Sequence, residues 1–307
     1  MQLTNREQRM FDGAEGKPRQ KAMEMIVRYA EVLGADALCR ITWADLFCGT
    51  HGYLGVIPSN DFDEVFSRMS LCTEETSVLK QMDRGCICYS GVEPDCAERP
   101  KEMLMGSDMQ EINRRFLSRF VDAGVILSGN CIPYLTGFVP LMGEHFVSSE
   151  SSAVLFMNSL WGACGNGDGI EIGFCAAVTG RIPLWGMHLP DNRRGTVQVE
   201  IQSAPASVHD WDILGHAVGI RLPPRAVPVL TGSFPRPDAV RLKSFFAALA
   251  CAAGTEMCHI VGMTPEARTL EQAFGRRDPE EIISVSPTNV SHSRGLLNGC
   301  GRRKIDY

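Results

Sequence analysis

The sequence lacks most of the features that would assign it quickly. No apolar run approaches the roughly 20 residues that cross a bilayer, so no membrane span is expected. The opening Met1-Gln2-Leu3-Thr4-Asn5 has neither the basic stretch nor the apolar stretch of a secretory signal, and a cytoplasmic protein is expected. There is no Gly-x-Gly-x-x-Gly after a strand pattern, no Gly-x-x-x-x-Gly-Lys-Ser/Thr and no Gly-x-Ser-x-Gly. Dinucleotide, nucleoside-triphosphate and esterase chemistry lose their usual support. Positive charge is not in excess either: 30 Lys and Arg stand against 36 Asp and Glu, a net charge of −6. That balance offers no footprint for nucleic acid or for an anionic membrane surface, although local arginines can still hold a small acidic metabolite. Internal repeats and low-complexity tracts are also missing.

What is present describes a folded globular chain. Its 307 residues suffice for about two domains, and 44% hydrophobic with 21% charged residues lies near the globular average. The 12 cysteines are about 4% of the chain, too dilute for a disulfide scaffold, so thiols are expected, most of them packed as small hydrophobes.

Periodicity and punctuation give an α/β reading. Thr4-x-x-Glu7 before Met10 and Phe11 is a capping-box pattern that opens a short helix. From Arg19 to Leu33 the residues Ala22, Met25, Ile26, Tyr29 and Leu33 follow the helical period, and Gly34 supplies the stop. Asp108 opens a second such segment with Met109, Ile112, Phe116 and Phe120, ending at Gly124. Val125-Ile126-Leu127 then reads as a buried strand, followed by the loop Ser128-Gly129-Asn130-Cys131. Ligands of open α/β sheets gather outside the carboxyl ends of strands, so this places Cys131 where chemistry is commonly found. Ser151 to Leu160 suggests a helix running into a glycine-bearing loop that ends at Gly169. Val197, Val199 and Ile201 alternate as on a half-buried strand. Val227 to Leu230, a helix from about Asp238 to Ala253 and Met257 to Val261 form a β-α-β unit.

Several groups of residues could carry chemistry. Cys86 and Cys88, with Cys72 and Cys96 near in sequence, form the densest cysteine cluster, but the spacing is poor for structural zinc. On an extended strand the first two point the same way, which fits two core thiols better. Cys131 sits between Gly129 and Pro133, where glycine permits close approach of a ligand and proline fixes the loop; a packed thiol is the alternative. His51 lies in a glycine-bracketed turn, Cys48-Gly49-Thr50-His51-Gly52. Ser148-Ser149-Glu150-Ser151-Ser152 offers hydroxyls and a carboxylate that either bind a hydroxy acid or cap the following helix. Asn192-Arg193-Arg194 suits bidentate recognition of a carboxylate or phosphate, with a solvated surface pair as the equal alternative.

Taken in order, these pieces resemble the large subunit of aconitase X, a branch of the aconitase superfamily. The matching stretches are Leu3-Thr4 through Met10-Phe11-Asp12-Gly13, then Gly16, Ala22-Met23, Cys131-x-Pro133-Tyr134-Leu135 and Gly143-Glu144-His145. They continue through Glu150-Ser151-Ser152-Ala153-Val154, Asn158-Ser159, Thr179-Gly180-Arg181, Gly186-x-His188-Leu189 and Asn192-Arg193, and close on His259 to Ala267. The resemblance implies a hydro-lyase of aconitase-like α/β/α domains, here 1–190 and 191–307, acting with a small swivelling subunit. It implies a small hydroxylated acid as substrate, such as cis-3-hydroxy-L-proline or phosphomevalonate, and iron or an iron–sulfur cluster as cofactor. Residue by residue it makes Cys131 a metal ligand, His51, Glu150, Ser151 and Ser152 candidates for catalysis, and Asn158, Asn166 and Arg193 candidate substrate contacts. The base is expected to be a serine of the small partner.

Two departures from the family's pattern shape these expectations. Related large subunits continue past the equivalent of Lys304-Ile305-Asp306-Tyr307, with a Gly-Cys-Pro segment and a further cysteine that supply two more ligands. The fold is accordingly expected to be incomplete at the C-terminus. Around Cys131 the family has threonine and cysteine where this sequence has Ser128-Gly129-Asn130, and Cys72 to Pro100 fits poorly. The expectation is a dehydratase component whose metal site another polypeptide completes, with a noncatalytic subunit that has lost its centre as the alternative.

Overall fold

A computed structural model describes residues 1–46, 82–90, 117–118 and 120–300. Contacts divide the chain into two bodies. The first draws on Met1–Pro140, Glu144–Glu150 and Gly165–His188, the second on Leu141–Gly143, Ser151–Cys164 and Leu189–Tyr307. Among the described residues no helix is long and apolar enough to cross a membrane.

The first body begins with the capping box that the sequence predicts. Glu7 N–H donates to Thr4 Oγ1 at 3.4 Å and Thr4 N–H donates to Glu7 Oε2 at 2.8 Å, opening the helix Asn5–Phe11. Glu7 also takes Arg181 Nε at 2.6 Å, a pair with little exposure on either side. Burial alone would push the Glu7 carboxyl up, but hydrogen bonds from Thr4 and the Arg181 guanidinium hold it below the usual carboxylate range. The helix Lys17–Leu33 follows and stops at the left-handed Gly34. Its buried stripe is Ala22, Met23, Ile26 and Ala30, rotated from the expected one, so that Met25, Tyr29 and Leu33 flank the core.

Four short strands form a wholly parallel sheet: β2 (Trp43–Leu46), β3 (Ile87–Ser90), β4 (Val125–Leu127) and β5 (Phe146–Ser148), in the order β4-β3-β2-β5. A two-stranded antiparallel ribbon pairs β1 (Leu38–Arg40) with β6 (Arg181–Pro183). The core of this body joins Met23 and Ile26 to Ala44, Leu46, Cys88 and Val147 on the sheet and to Phe174 and Val178 of the helix Ile170–Thr179. From Gly173 to Thr179 every residue of that helix is buried, so it shows no periodic stripe in the sequence. The strand after Gly124 exists but is an edge strand: Val125 is buried, while Ile126 and Leu127 are exposed. The expectation of a strand buried throughout is corrected accordingly. Of the expected helix before it, residues 117–118 and 120–124 are described; those up to Asp122 are helical, and Ala123 and Gly124 form a turn.

The second body holds another parallel sheet, β10-β7-β8-β9, built from β7 (Val197–Ile201), β8 (Pro228–Gly232), β9 (His259–Ile260) and β10 (Glu281–Val285). The alternation seen in the sequence is the buried face of β7, Val197, Val199 and Ile201. The helix Ala239–Ala253, capped by Asp238, links β8 to parallel β9, as the β-α-β reading requires. It packs on the helix Val208–Gly219 so closely that a Cβ at Gly215 would lie 2.3 Å from the Phe245 carbonyl oxygen. Trp211, Phe245 and Phe246 are fully buried beside this contact. Both bodies are of α/β class.

Candidate functional site

In a parallel sheet the strand carboxyl ends all open on the same side, and in the first body three of them carry polar groups. Asp45 is near the end of β2, Ser148 ends β5 with Glu150 two residues on, and Cys131 follows β4. Ser148 Oγ donates to Asp45 Oδ2 at 2.9 Å and accepts from Glu150 N–H at 3.1 Å. Asp45 is buried, and its Oδ1 has no hydrogen-bond partner among the described residues. Burial raises this carboxyl to about 7, the Ser148 hydrogen bond opposes the shift and the Glu150 charge adds to it. A carboxyl poised there can give or take a proton at neutral pH.

Cys131 lies on a loop that its neighbours fix. Asn130 Nδ2 donates to the Ser128 carbonyl at 2.8 Å, and Ile132 N–H donates to Asn130 Oδ1 at 2.9 Å, which locks the turn from both sides of the amide. Gly129 adopts φ +63°, and Pro133–Leu135 forms a single 3-10 turn beyond. The residue is exposed, yet its sulfur is partly desolvated and stands near Glu150. Burial first, then the neighbouring carboxylates of Glu150 and Asp45, push the thiol up to about 11. The thiol thus stands beside Glu150 rather than walled in by hydrocarbon.

The other residues singled out from the sequence lie elsewhere. His51, Cys72 and Cys96 fall outside the described residues. Cys86 and Cys88 touch Sγ to Sγ at 3.8 Å at the start of β3, in the hydrophobic core, as two packed thiols would. Ser151 and Ser152 begin the helix Ser151–Phe156 in the second body, the first exposed and the second half-buried. In that body Arg193 and Asn158 face each other and are both buried. Arg193 Nη2 donates to the Asn158 carbonyl at 3.1 Å, and the guanidinium grips Glu266 through Nε at 3.1 Å and Nη2 at 2.5 Å. His259 Nε2 donates to the Arg193 carbonyl at 2.7 Å, and burial pushes that imidazole below its ordinary value. Arg193 is therefore a buried clamp, and the reading of it as half of a solvated surface pair with Arg194 is corrected. Asn166, in the first body, uses Oδ1 for Met187 N–H at 2.7 Å and Nδ2 for the Trp185 carbonyl at 3.1 Å.

Two features escaped sequence reasoning. Asp45 is a carboxylate inside the apolar Trp43-Ala44-Asp45-Leu46 strand, and a charge in a buried strand is itself a signal. Cys39, His145 and His188 come together in space from three distant stretches, with no spacing to betray them.

Comparison with known proteins bears on this arrangement. The family model for the aconitase X first domain matches residues 1–191, and that for the aconitase X second domain matches 195–294. This chain belongs to the aconitase X family. It is 31% identical over 304 residues to a cis-3-hydroxy-L-proline dehydratase of Hypocrea jecorina, covering 97% of this chain and 48% of that protein. A protein of the same name from Pseudomonas aeruginosa is 30% identical, with 98% and 50% covered. The chain therefore spans about half the length of these two aconitase X relatives. The phosphomevalonate dehydratase large subunit of Methanothermobacter thermautotrophicus is 30% identical, with 96% of this chain and 69% of that one covered. The crystal structure of Thermococcus kodakaraensis aconitase X in its holo form superposes with a TM-score of 0.77 at 25% identity, over 96% of this chain and 69% of that one. That likeness extends the aconitase X fold to nearly the whole chain.

An iron–sulfur cluster is held chiefly by cysteine thiolates, about four ligands in all. Among the described residues Cys131 gathers no second cysteine into a three-donor group. It has Glu150 beside it and Asp45 close enough to act on its thiol. Cys131 thus belongs to no group of three metal donors among the described residues, and the residues beside it do not fit a cluster's ligand set.

Proposed function

We propose that this chain is the large-subunit portion of a hydro-lyase that removes water from a small hydroxylated acid of the cis-3-hydroxy-L-proline or phosphomevalonate kind. The observation that carries the reading is the polar group at the strand ends of the first body, Asp45, Ser148, Glu150 and Cys131, in a chain similar over nearly all its length to dehydratases of both names. Dehydration removes a proton from one carbon and hydroxide from its neighbour, leaving a double bond and water. It needs a base at the first carbon and an acid at the departing oxygen.

Glu150, His51, Ser151 and Ser152 are proposed as catalytic residues, and residues 1–190 and 191–307 as the two domains. Asp45 acts through Ser148 as a positioning residue that sets the charge beside Glu150. Asn158 and Arg193 are proposed to hold a substrate carboxylate or phosphate, which would compete with Glu266 for the guanidinium. Asn166 positions the turn at Trp185 to Met187. Iron or an iron–sulfur centre is the proposed cofactor only if thiolates from outside the described residues complete it, with Cys131 as the one ligand drawn from the described residues. A small swivelling subunit would bring the serine base and close the site. The reaction is assigned to the cytoplasm, in keeping with the metabolic activities for which the relatives are named.

The lone thiol favours a second reading, a subunit that keeps the fold without its own catalysis. Anaerobic reconstitution with iron, sulfide and a small aconitase X subunit, followed by an assay of water loss from both substrates, separates the two. Activity that disappears in Glu150→Gln supports the hydro-lyase. An iron-free, inert complex under those conditions leaves the noncatalytic reading.

A further inference from the structure

A second group of donors lies in the first body, drawn from the β1–β6 ribbon, the residue before β5 and a short helix. Cys39 lies on β1, His145 immediately precedes β5, and His188 ends the short helix Gly186–His188. One ligand atom from each lies within 4.8 Å of the other two. The imidazoles meet Nδ1 to Nδ1 at 3.0 Å, one donating and the other accepting. His188 is buried, and Cys39 and His145 are half-buried.

We propose that Cys39, His145 and His188 form a zinc site of three protein ligands, with the fourth position open to water or an exogenous ligand. Zinc takes thiolate at about 2.3 Å and imidazole nitrogen at about 2.0–2.1 Å in tetrahedral geometry, which sets its donors roughly 3.3–3.6 Å apart. The three atoms need to move by no more than about an ångström to reach that spacing. One thiolate and two imidazoles suit zinc far better than the oxygen-seeking magnesium or calcium.

The backbone holding the donors is pinned before any ion arrives. Thr42 N–H donates to the His145 carbonyl at 3.0 Å, and Leu184 N–H donates to that of Ala37 at 2.9 Å, closing the ribbon in which Cys39 lies opposite Ile182. His188 N–H closes its own turn on the Trp185 carbonyl at 3.1 Å. Asn166 grips that turn from both sides, and Gly186 passes so near, at φ +57°, that a Cβ there would fall 2.2 Å from Asn166 Oδ1. This is the outer support that orients a metal-binding imidazole. The site is separate from Cys131: His145 precedes the amino end of β5, whereas Glu150 and Cys131 lie beyond the carboxyl ends of β5 and β4 in the same parallel sheet.

The test is a metal titration of the full chain after chelator treatment, read by elemental analysis and by the thiolate-to-metal charge-transfer band of the cobalt-substituted protein. One zinc per chain is expected, kept in Cys131→Ser and in the double variant Cys72→Ser/Cys96→Ser. Cys39→Ser or His188→Asn should abolish it, and Asn166→Ala should weaken it about 10- to 100-fold. Less than stoichiometric zinc in the unaltered chain, or no thiolate band with cobalt, overturns the proposal without recourse to any variant. Zinc that survives both Cys39→Ser and His188→Asn overturns it as well. None of these readouts depends on whether the chain dehydrates anything.

Discussion

The two parallel sheets share a construction and differ in what they place at its edges. In the first body the strands are three or four residues long, and their carboxyl ends carry Asp45, Ser148, Glu150 and the Cys131 loop. In the second body three of the four strands have five residues, and the helices beside them lock through Gly215, Trp211, Phe245 and Phe246. The first sheet spends stability on buried polar groups, and the second stores it in close-packed rings. A chain can divide the two tasks this way because each body has its own core.

The contrast is broken most sharply by emptying the second core. Trp211 is fully buried with its ring edge-on to Phe234 and Phe245, so Trp211→Ala should destabilise the second body by about 3–5 kcal/mol, seen as an early denaturant transition. In the first body the opposite sign is expected for Asp45→Asn. With the carboxyl raised to about 7 in the folded chain and near 4 in the unfolded one, the folded state keeps a proton that the unfolded state has lost between those values. Stability contributed by Asp45 therefore falls as pH rises through that window. Asp45→Asn should be more stable than the parent by about 2–4 kcal/mol at pH 8 and nearly equal to it near pH 4, by urea denaturation at both. A parent whose stability does not decline over that range would remove the special character assigned to this carboxyl.

Smaller effects sharpen the comparison. Gly215→Ala forces the helices Val208–Gly219 and Ala239–Ala253 apart and should cost about 1–3 kcal/mol, whereas an alanine in an exposed helix would help. The smallest is a cap. Ser207 Oγ accepts from Asp210 N–H at 3.1 Å, so Ser207→Ala should cost about 1 kcal/mol. Hydrogen bonds from Ser207 and the Arg294 guanidinium hold the Asp210 carboxyl low, so its share of stability is present above about pH 4 and lost as pH falls. Thermal melts at pH 7 should show the Ser207→Ala deficit as a lowered midpoint.

Much of this was legible in the residues because it is local. The Thr4-x-x-Glu7 cap, the stop at Gly34, the alternation of β7 and the β8-helix-β9 unit each follow from neighbours a few positions apart. The helix Ile170–Thr179 was hidden because an unbroken run of buried residues from Gly173 to Thr179 leaves no amphipathic signature. The edge position of β4 was hidden because strand order is a property of the sheet, not of Val125-Ile126-Leu127. At the site, the sequence pointed to Cys131 and Glu150 separately, and only the fold brings them near each other. The Cys39, His145 and His188 trio is invisible by its nature, since its members are brought together by the β1–β6 ribbon, the approach to β5 and a single turn.

The Glu7–Arg181 pair has a practical consequence for anyone handling the protein. Shortening the chain from its start, a common remedy for poor expression, would remove the carboxylate and strand a guanidinium that has almost no access to water. A purification tag ahead of Met1 meets no such obstacle, because that residue is already open to solvent. Extensions at the front should be tolerated, and deletions reaching Glu7 should yield insoluble material.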